Sequence, residues 1–345
     1  MKTIKALKKR KVFPPPIWIM RQAGRYLPEF QISKKKYKGF VNMVYTPKAA
    51  AEVTLQPIKR FGFDSAIIFS DILVIPDSMG QKLEYFEGKG PKLQSMNLDE
   101  MLDNLKVEKD REKLKKVYES IKLTKGKIKR KTTLIGFVGA PLTLIFFMLD
   151  NKREKKYGKI LSFMNRNKAK VKIILKRIEE AIAQHATKQI RAGADIIQIF
   201  DTWACEANKK ELREYSINPI KNICKKIKDK KPGTPIIVFP RNVGKNYKDY
   251  LFKEMDCIGV GQDVPAEDIK KLQKKKTIQG NLNPKILKRG GKKLESEVKK
   301  ILENYSGKPF IFNLSHGILP ETPVENVEKL IKLVREKFNY NKYKK

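Results

Sequence analysis

The sequence predicts an α/β fold: a single (β/α)8 TIM barrel over residues 1–345, with an N-terminal extension and an active site at the C-terminal ends of the strands. Three observations lead there. Short runs rich in Ile, Val and Phe recur along the chain without strict alternation, as strands buried on both faces of a parallel sheet do. Segments with helical periodicity lie between them. No clean break divides the chain, so the repeated strand–helix units read as one domain rather than two.

Taken in order, the strands are expected at Ser65–Phe69, Thr133–Phe137, Asp195–Phe200, Pro235–Phe239, Cys257–Val260, Lys276–Gln279 and Pro309–Asn313. Seven are visible, and an eighth is not placed. Asn97 to Lys131 is charged and helical in pattern, and reads as an insertion. The clearest helix runs from Lys170 to Ala192. Ile173, Ile174, Ile178, Ala181, Ile182 and Ile190 form its apolar stripe, and Gly193 supplies a stop. A last helix is expected over Val324 to Phe338, with Val327, Leu330, Ile331, Val334 and Phe338 in register.

Composition narrows the function. With 76 Lys+Arg against 37 Asp+Glu the formal charge is +39, and 62 of the basic residues are Lys against 14 Arg. Arg is preferred for bidentate phosphate and base contacts, the lysines are spread over the whole chain, and no nucleic-acid-binding motif is present. A nucleic-acid partner is therefore not expected, although the field suits an acidic substrate. No apolar run is long enough for a membrane span, and the basic start lacks the apolar stretch of a secretory signal. Cys205, Cys224 and Cys257 form no CxxC pair, which fits a reducing compartment. With only two histidines, a metal site is not expected. The chain reads as cytoplasmic, without membrane contact.

The barrel rule gives a short set of candidates at strand ends. Ser70-Asp71 follows the first visible strand and Asp201-Thr202 the third. Gly261-Gln262-Asp263 and Gly280-Asn281 end two others, and Ser315-His316-Gly317 follows the last. Each alone is also an ordinary turn signal. Near the N-terminus, Arg21 and Arg25 flank Gly24, and two guanidiniums so spaced suit a multiply carboxylated ligand; an exposed basic pair is the plain alternative. His185 falls inside the long helix and reads as structural.

At these residues the chain resembles the uroporphyrinogen decarboxylase family. The stretch Trp18-Ile19-Met20-Arg21-Gln22-Ala23-Gly24-Arg25-Tyr26-Leu27-Pro28 is similar to that family's N-terminal signature. Further matches follow in order: Phe69-Ser70-Asp71-Ile72-Leu73, Gly88-Lys89-Gly90-Pro91, Gly136-Phe137 with Gly139-Ala140-Pro141, Phe200-Asp201-Thr202-Trp203, Gln279-Gly280-Asn281-Leu282 and His316-Gly317-Ile318.

The resemblance implies a barrel, a homodimer, and a reaction without cofactor or metal. The four acetate side chains of uroporphyrinogen III lose CO2 to give coproporphyrinogen III. A departing carboxylate needs an electron sink, and here the substrate provides it, because a protonated pyrrole accepts the electrons. The resemblance makes Asp71 the essential carboxylate that stabilises the cationic ring. It places Arg21, Gln22, Ala23, Gly24, Arg25, Phe147, Thr202 and His316 in the substrate site, with both arginines on substrate carboxylates.

Four positions depart from the family pattern. Phe147 stands where a tyrosine is usual, Leu142 where a bulky aromatic is, and Cys205 and Ser315 where glycines are. Two rival readings follow. A corrinoid-linked methyltransferase shares the superfamily but holds zinc with a His-x-Cys pair and a later Cys. Here those regions read Phe239-Pro240-Arg241-Asn242-Val243 and His316. A non-catalytic basic binding protein on the same scaffold is the other; it is kept open by Phe147 and opposed by the retained Arg21, Arg25, Asp71 and His316.

Overall fold

A computed structural model of the chain describes residues 1–86, 90–107, 110–149 and 157–335. Its strands are β1 (Ser65–Ile67), β2 (Leu83–Phe86), β3 (Gly90–Leu93), β4 (Thr133–Gly139), β5 (Ile196–Asp201), β6 (Ile236–Pro240), β7 (Cys257–Gly259), β8 (Thr277–Leu282) and β9 (Phe310–Leu314). Seven of them pair in parallel, in the order β1-β4-β5-β6-β7-β8-β9. These are the seven expected from the apolar runs. Their residues are almost all buried, because helices cover one side of the sheet and side chains from neighbouring strands fill the other. Strands β2 and β3 form a separate antiparallel hairpin that the sequence did not reveal. Gly88 and Lys89 of the GKGP stretch lie outside the described residues.

The segment just before the arginine turn binds the last strand and the first. Phe312 N–H donates to Pro16 O at 2.9 Å, and Trp18 N–H donates to Phe312 O at 3.4 Å. On its other side, Asp64 N–H donates to Ile17 O at 3.0 Å, and Ile17 N–H donates to the Asp64 carboxylate at 3.0 Å. Only Ile17 makes a ladder bridge, to Phe312. The three prolines before it, Pro14 to Pro16, remove donors, which leaves no strand-like run to read.

Two apolar cores result. The larger lies between sheet and helices. The smaller gathers Ile67, Ile135, Ile196, Ile237, Cys257 and Ile311 from inner positions of six strands, together with Trp18, Ala6 and Leu7. The N-terminal helix Lys2–Leu7 thus seats against the strand starts, where Thr277 Oγ1 donates to Ala6 O at 2.8 Å and the Thr3 and Ser65 hydroxyls pair at 2.7 Å. A polar line crosses this inner core. Trp18 Nε1–H donates to Gln279 Oε1 at 3.0 Å, and Gln279 Nε2 donates to Gln198 Oε1 at 3.1 Å. A buried indole and two amides require such pairing.

The long helix spans Lys168–Arg191 and stops at Gly193, whose φ of 118° is accessible to glycine. Ile174, Ile178, Ala181 and Ile182 are buried as expected, but Ile173 is 47% exposed. One residue is about 100° around a helix, so Ile173 falls off the stripe and Val171, Leu175 and Ala186 complete it. Arg111–Lys127, expected within an insertion, packs on the helix Pro47–Phe61 and leads into β4, so it belongs to the covering layer. The last helix is described over Val324–Arg335, and Phe338 lies outside the described residues. Among the described residues, no helix is long and apolar enough to cross a membrane.

Candidate active site

The turn carrying the arginine pair is pinned to the C-terminal end of β9. Met20 N–H donates to Asn313 Oδ1 at 3.1 Å, and Ile318 N–H donates to Met20 O at 3.0 Å. Gln22 is fully buried. Its Oε1 accepts from Ile19 N–H at 3.2 Å, and its Nε2 donates to Ser65 O at 3.0 Å. Its side chain therefore rivets the turn to β1. Arg21 sits at a φ of 63°, a left-handed conformation that costs a non-glycine residue about 1–2 kcal/mol. Two glycines accommodate it: a Cβ on Gly24 would meet Arg21 O, and one on Gly317 would collide with the Arg21 side chain. Ala23 and Gly24 are half-buried, and Arg25 is exposed.

Asp71 follows β1 at the same end. Its Oδ1 accepts from Leu73 N–H at 2.8 Å, and its other oxygen has no partner among the described residues. Burial pushes its carboxyl up to about 6, although the Leu73 N–H and the Arg21 guanidinium both favour the anion. Arg21 is itself lowered, first by the protein packed around it, then by Arg25 and Arg241, with Asp71 opposing. Arg21 nevertheless keeps exposed surface, so water reaches it.

The wall beyond is built on Asp201, at the end of β5. This buried carboxylate accepts from Thr143 Oγ1 at 2.6 Å and from the Ser216 hydroxyl, which pairs with Tyr250 OH at 2.6 Å. Burial raises its pKa against those bonds. Thr143 Oγ1 in turn accepts from Trp203 N–H at 3.2 Å. One carboxylate therefore fixes both the helix Pro141–Leu149, which carries Phe147, and the Thr202–Trp203 turn. Phe147 meets Trp203 edge-on, with centroids 6.4 Å apart. Thr202 is half-buried, and its hydroxyl makes no hydrogen bond among the described residues.

His316, after β9, is half-buried. Burial lowers it to about 4, and Arg21 and Arg241 push the same way. It is neutral near pH 7, a hydrogen-bonding group rather than a third positive charge. Arg241 is the residue that sequence reasoning missed. It directly follows β6, so the strand-end rule would have found it. Its N–H donates to Asp201 O at 3.1 Å, and its guanidinium lies 6.0 Å from the Trp203 ring centroid.

Asp71, Arg21, Arg25, His316 and Arg241 thus share one electrostatic neighbourhood, with Trp203 and Phe147 beside it. His185 lies apart in the helical layer, its Nδ1 3.0 Å from Tyr118 OH. Cys224 and Cys257 are buried, and Cys205 is exposed with its thiol raised by burial and by Glu206. Among the described residues, no three His, Cys, Asp or Glu side chains gather as metal ligands would. The arrangement suits a polycarboxylate bound by guanidiniums, with one carboxylate placed to meet a developing cation.

The family model described as uroporphyrinogen decarboxylase (URO-D) matches residues 1–337. A uroporphyrinogen decarboxylase of Rickettsia bellii is 44% identical over 323 residues, covering 93% of this chain and 95% of its own. One from a Chelativorans species is 40% identical over 336 residues, covering 97% and 98%. Among solved structures, a methyltransferase from Methanosarcina mazei superposes with a TM-score of 0.78 at 17% identity, covering 96% of this chain and 97% of that one; this likeness is one of fold. With a family match from residue 1 to 337 and relatives alike over nearly their whole length, the chain belongs to the uroporphyrinogen decarboxylase family.

Proposed function

We propose that this cleft binds uroporphyrinogen III and converts its four acetate side chains to methyls, giving coproporphyrinogen III in heme biosynthesis. The observation that carries the reading is Asp71, a carboxylate between bulk water and core, beside Arg21 at a strand end. A proton adds to a pyrrole carbon next to the acetate-bearing position, and the ring becomes cationic. The bond to the carboxylate then breaks, its electrons flow into the ring, and CO2 leaves. Protonation of the resulting methylene and loss of the ring proton restore the pyrrole. One proton replaces one CO2 at each of four sites.

Asp71 accepts the pyrrole N–H groups and offsets the cation. Its second oxygen supports this role, since Leu73 engages only the first. A preorganised charge in a half-dry site needs no reorganisation as the ring charges. Arg21 and Arg25 bind side-chain carboxylates. Thr202 and neutral His316 supply hydrogen bonds, and Phe147 supplies an apolar face. Gln22 holds the turn, while Ala23 and Gly24 present backbone. This scheme draws on no metal or cofactor. We further read the sheet as closing into a (β/α)8 barrel, with Pro16–Trp18 in the eighth position. We read the protein as a cytoplasmic homodimer, with neither membrane nor nucleic acid as partner.

The test is anaerobic incubation of chelator-treated protein with uroporphyrinogen III, followed by counting carboxylates in the products. Appearance of seven- to four-carboxylate porphyrinogens is expected. A folded protein that leaves the eight-carboxylate substrate intact would exclude the reading.

A further inference from the structure

Arg241 has an environment that its own chain leaves incomplete. The residue is half-buried, and its backbone is tied to Asp201 O, so the side chain starts from a fixed point. Its guanidinium lies over the Trp203 ring, 6.0 Å from the centroid. Among the described residues it has no carboxylate partner and no side-chain hydrogen bond. Its charge instead meets like charge, since it disfavours protonation of both Arg21 and His316. Two guanidiniums sharing one recess repel, and the indole face offsets that only in part. An anion between them would reverse the sign. Arg21 stands on the turn pinned to β9, whereas Arg241 stands on the wall made by β5 and β6.

We propose that Arg241 is a second, independent carboxylate clamp, which holds a side-chain carboxylate of the tetrapyrrole against the Trp203 wall. The assignment rests on the decarboxylase reading above. A substrate with eight carboxylates has enough for clamps on both walls, and two clamps fix its orientation as one does not. Planar guanidinium geometry gives the two parallel hydrogen bonds that such a site needs.

Arg241→Gln and Arg241→Lys, assayed anaerobically on uroporphyrinogen beside the wild type, decide it. For Arg241→Gln, KM should rise about tenfold or more while kcat stays within about threefold, the pattern of lost uniform binding. Arg241→Lys should fall between, because it keeps charge but loses the fork. A KM for Arg241→Gln within twofold of wild type would overturn the clamp, as would a fall in kcat at unchanged KM. If Arg241→Gln does not fold, Arg241→Lys carries the test: a raised KM supports the clamp and a wild-type KM overturns it. A wild type that makes no decarboxylated product removes the underlying reading and the clamp with it. An active wild type with an unaltered glutamine variant removes the clamp alone.

Discussion

Asp71 combines two opposed properties in one carboxyl. Burial raises it to about 6, so above that pH the fold carries a charge it would rather not hold. The unfolded value is near 3.8, so Asp71 favours folding below about pH 4, and this contribution is lost as pH rises through 6. Asp71→Asn keeps an acceptor for Leu73 N–H and removes the charge. It should therefore be more stable than wild type at pH 7.5, by about 1–3 kcal/mol, and equal to it near pH 4. Urea midpoints at the two pH values read this directly. At saturating substrate the same variant should lose about 10²–10³ in turnover, because it loses about 3–4 kcal/mol of preorganised stabilisation. A gain in stability paired with a loss of rate distinguishes a functional charge from a structural one. Arg21→Lys should weaken substrate affinity, read as a raised KM, since an ammonium cannot form the fork. At this scale the sequence exposes Asp71, Thr202 and His316, because each comes within three residues of the end of an apolar run. Arg241 obeys the same rule, directly after β6, in a segment that only the zinc comparison singles out. The work of Asp201 in fixing Trp203 depends on Thr143 and Ser216, from distant segments, and nothing local announces it.

Among the elements, strands were legible where helices and neighbouring strands bury both faces, which makes their sequence uniformly apolar. Pro16–Trp18 escaped because a single bridging residue has no pattern. The β2–β3 hairpin escaped because its short strands, LEYF and GPKL, alternate too briefly to be told from loop. Glycines inside strands mark close approaches. A Cβ on Gly136 would collide with Gln189 Oε1, which accepts Phe137 N–H at 3.0 Å while Gln189 Nε2 donates to Phe137 O at 2.8 Å. Gly136→Ala should lower stability by about 1–3 kcal/mol, seen as a lower urea midpoint with an unchanged slope. The helix Lys168–Arg191 carries a pH dependence of its own. His185 is fully enclosed and lowered to about 3, by burial. Its neutral form stabilises the fold above about pH 6.5, and this is lost as pH falls toward 3. His185→Gln keeps a polar partner for Tyr118 and should flatten the acid limb of the stability curve.

For the whole molecule, a formal charge of +39 sets two opposite responses to salt. Self-repulsion strains the folded state, so screening should raise the melting temperature as ionic strength increases. The same field draws in a polyanionic substrate, so kcat/KM should fall over the same range. Measuring both from about 10 to 300 mM NaCl, where the Debye length shortens from about 30 Å to below 10 Å, separates the effects.

The seating of Lys2–Leu7 beneath the strands has a consequence for the order of events on the ribosome. The segment Lys2–Trp18 must wait for partners in Thr277 and Phe312, and Thr277 follows Ala6 by 271 residues. Until then Ala6, Leu7 and Trp18 lack Ile311, the last member of their core along the chain. The nascent chain must therefore carry an incomplete core across that interval, and contacts spanning so much sequence form slowly. Chaperone dependence should consequently concentrate in the interval before β9 emerges, and a ribosome stalled short of residue 310 should hold a chain whose Lys2–Trp18 segment is still open to protease.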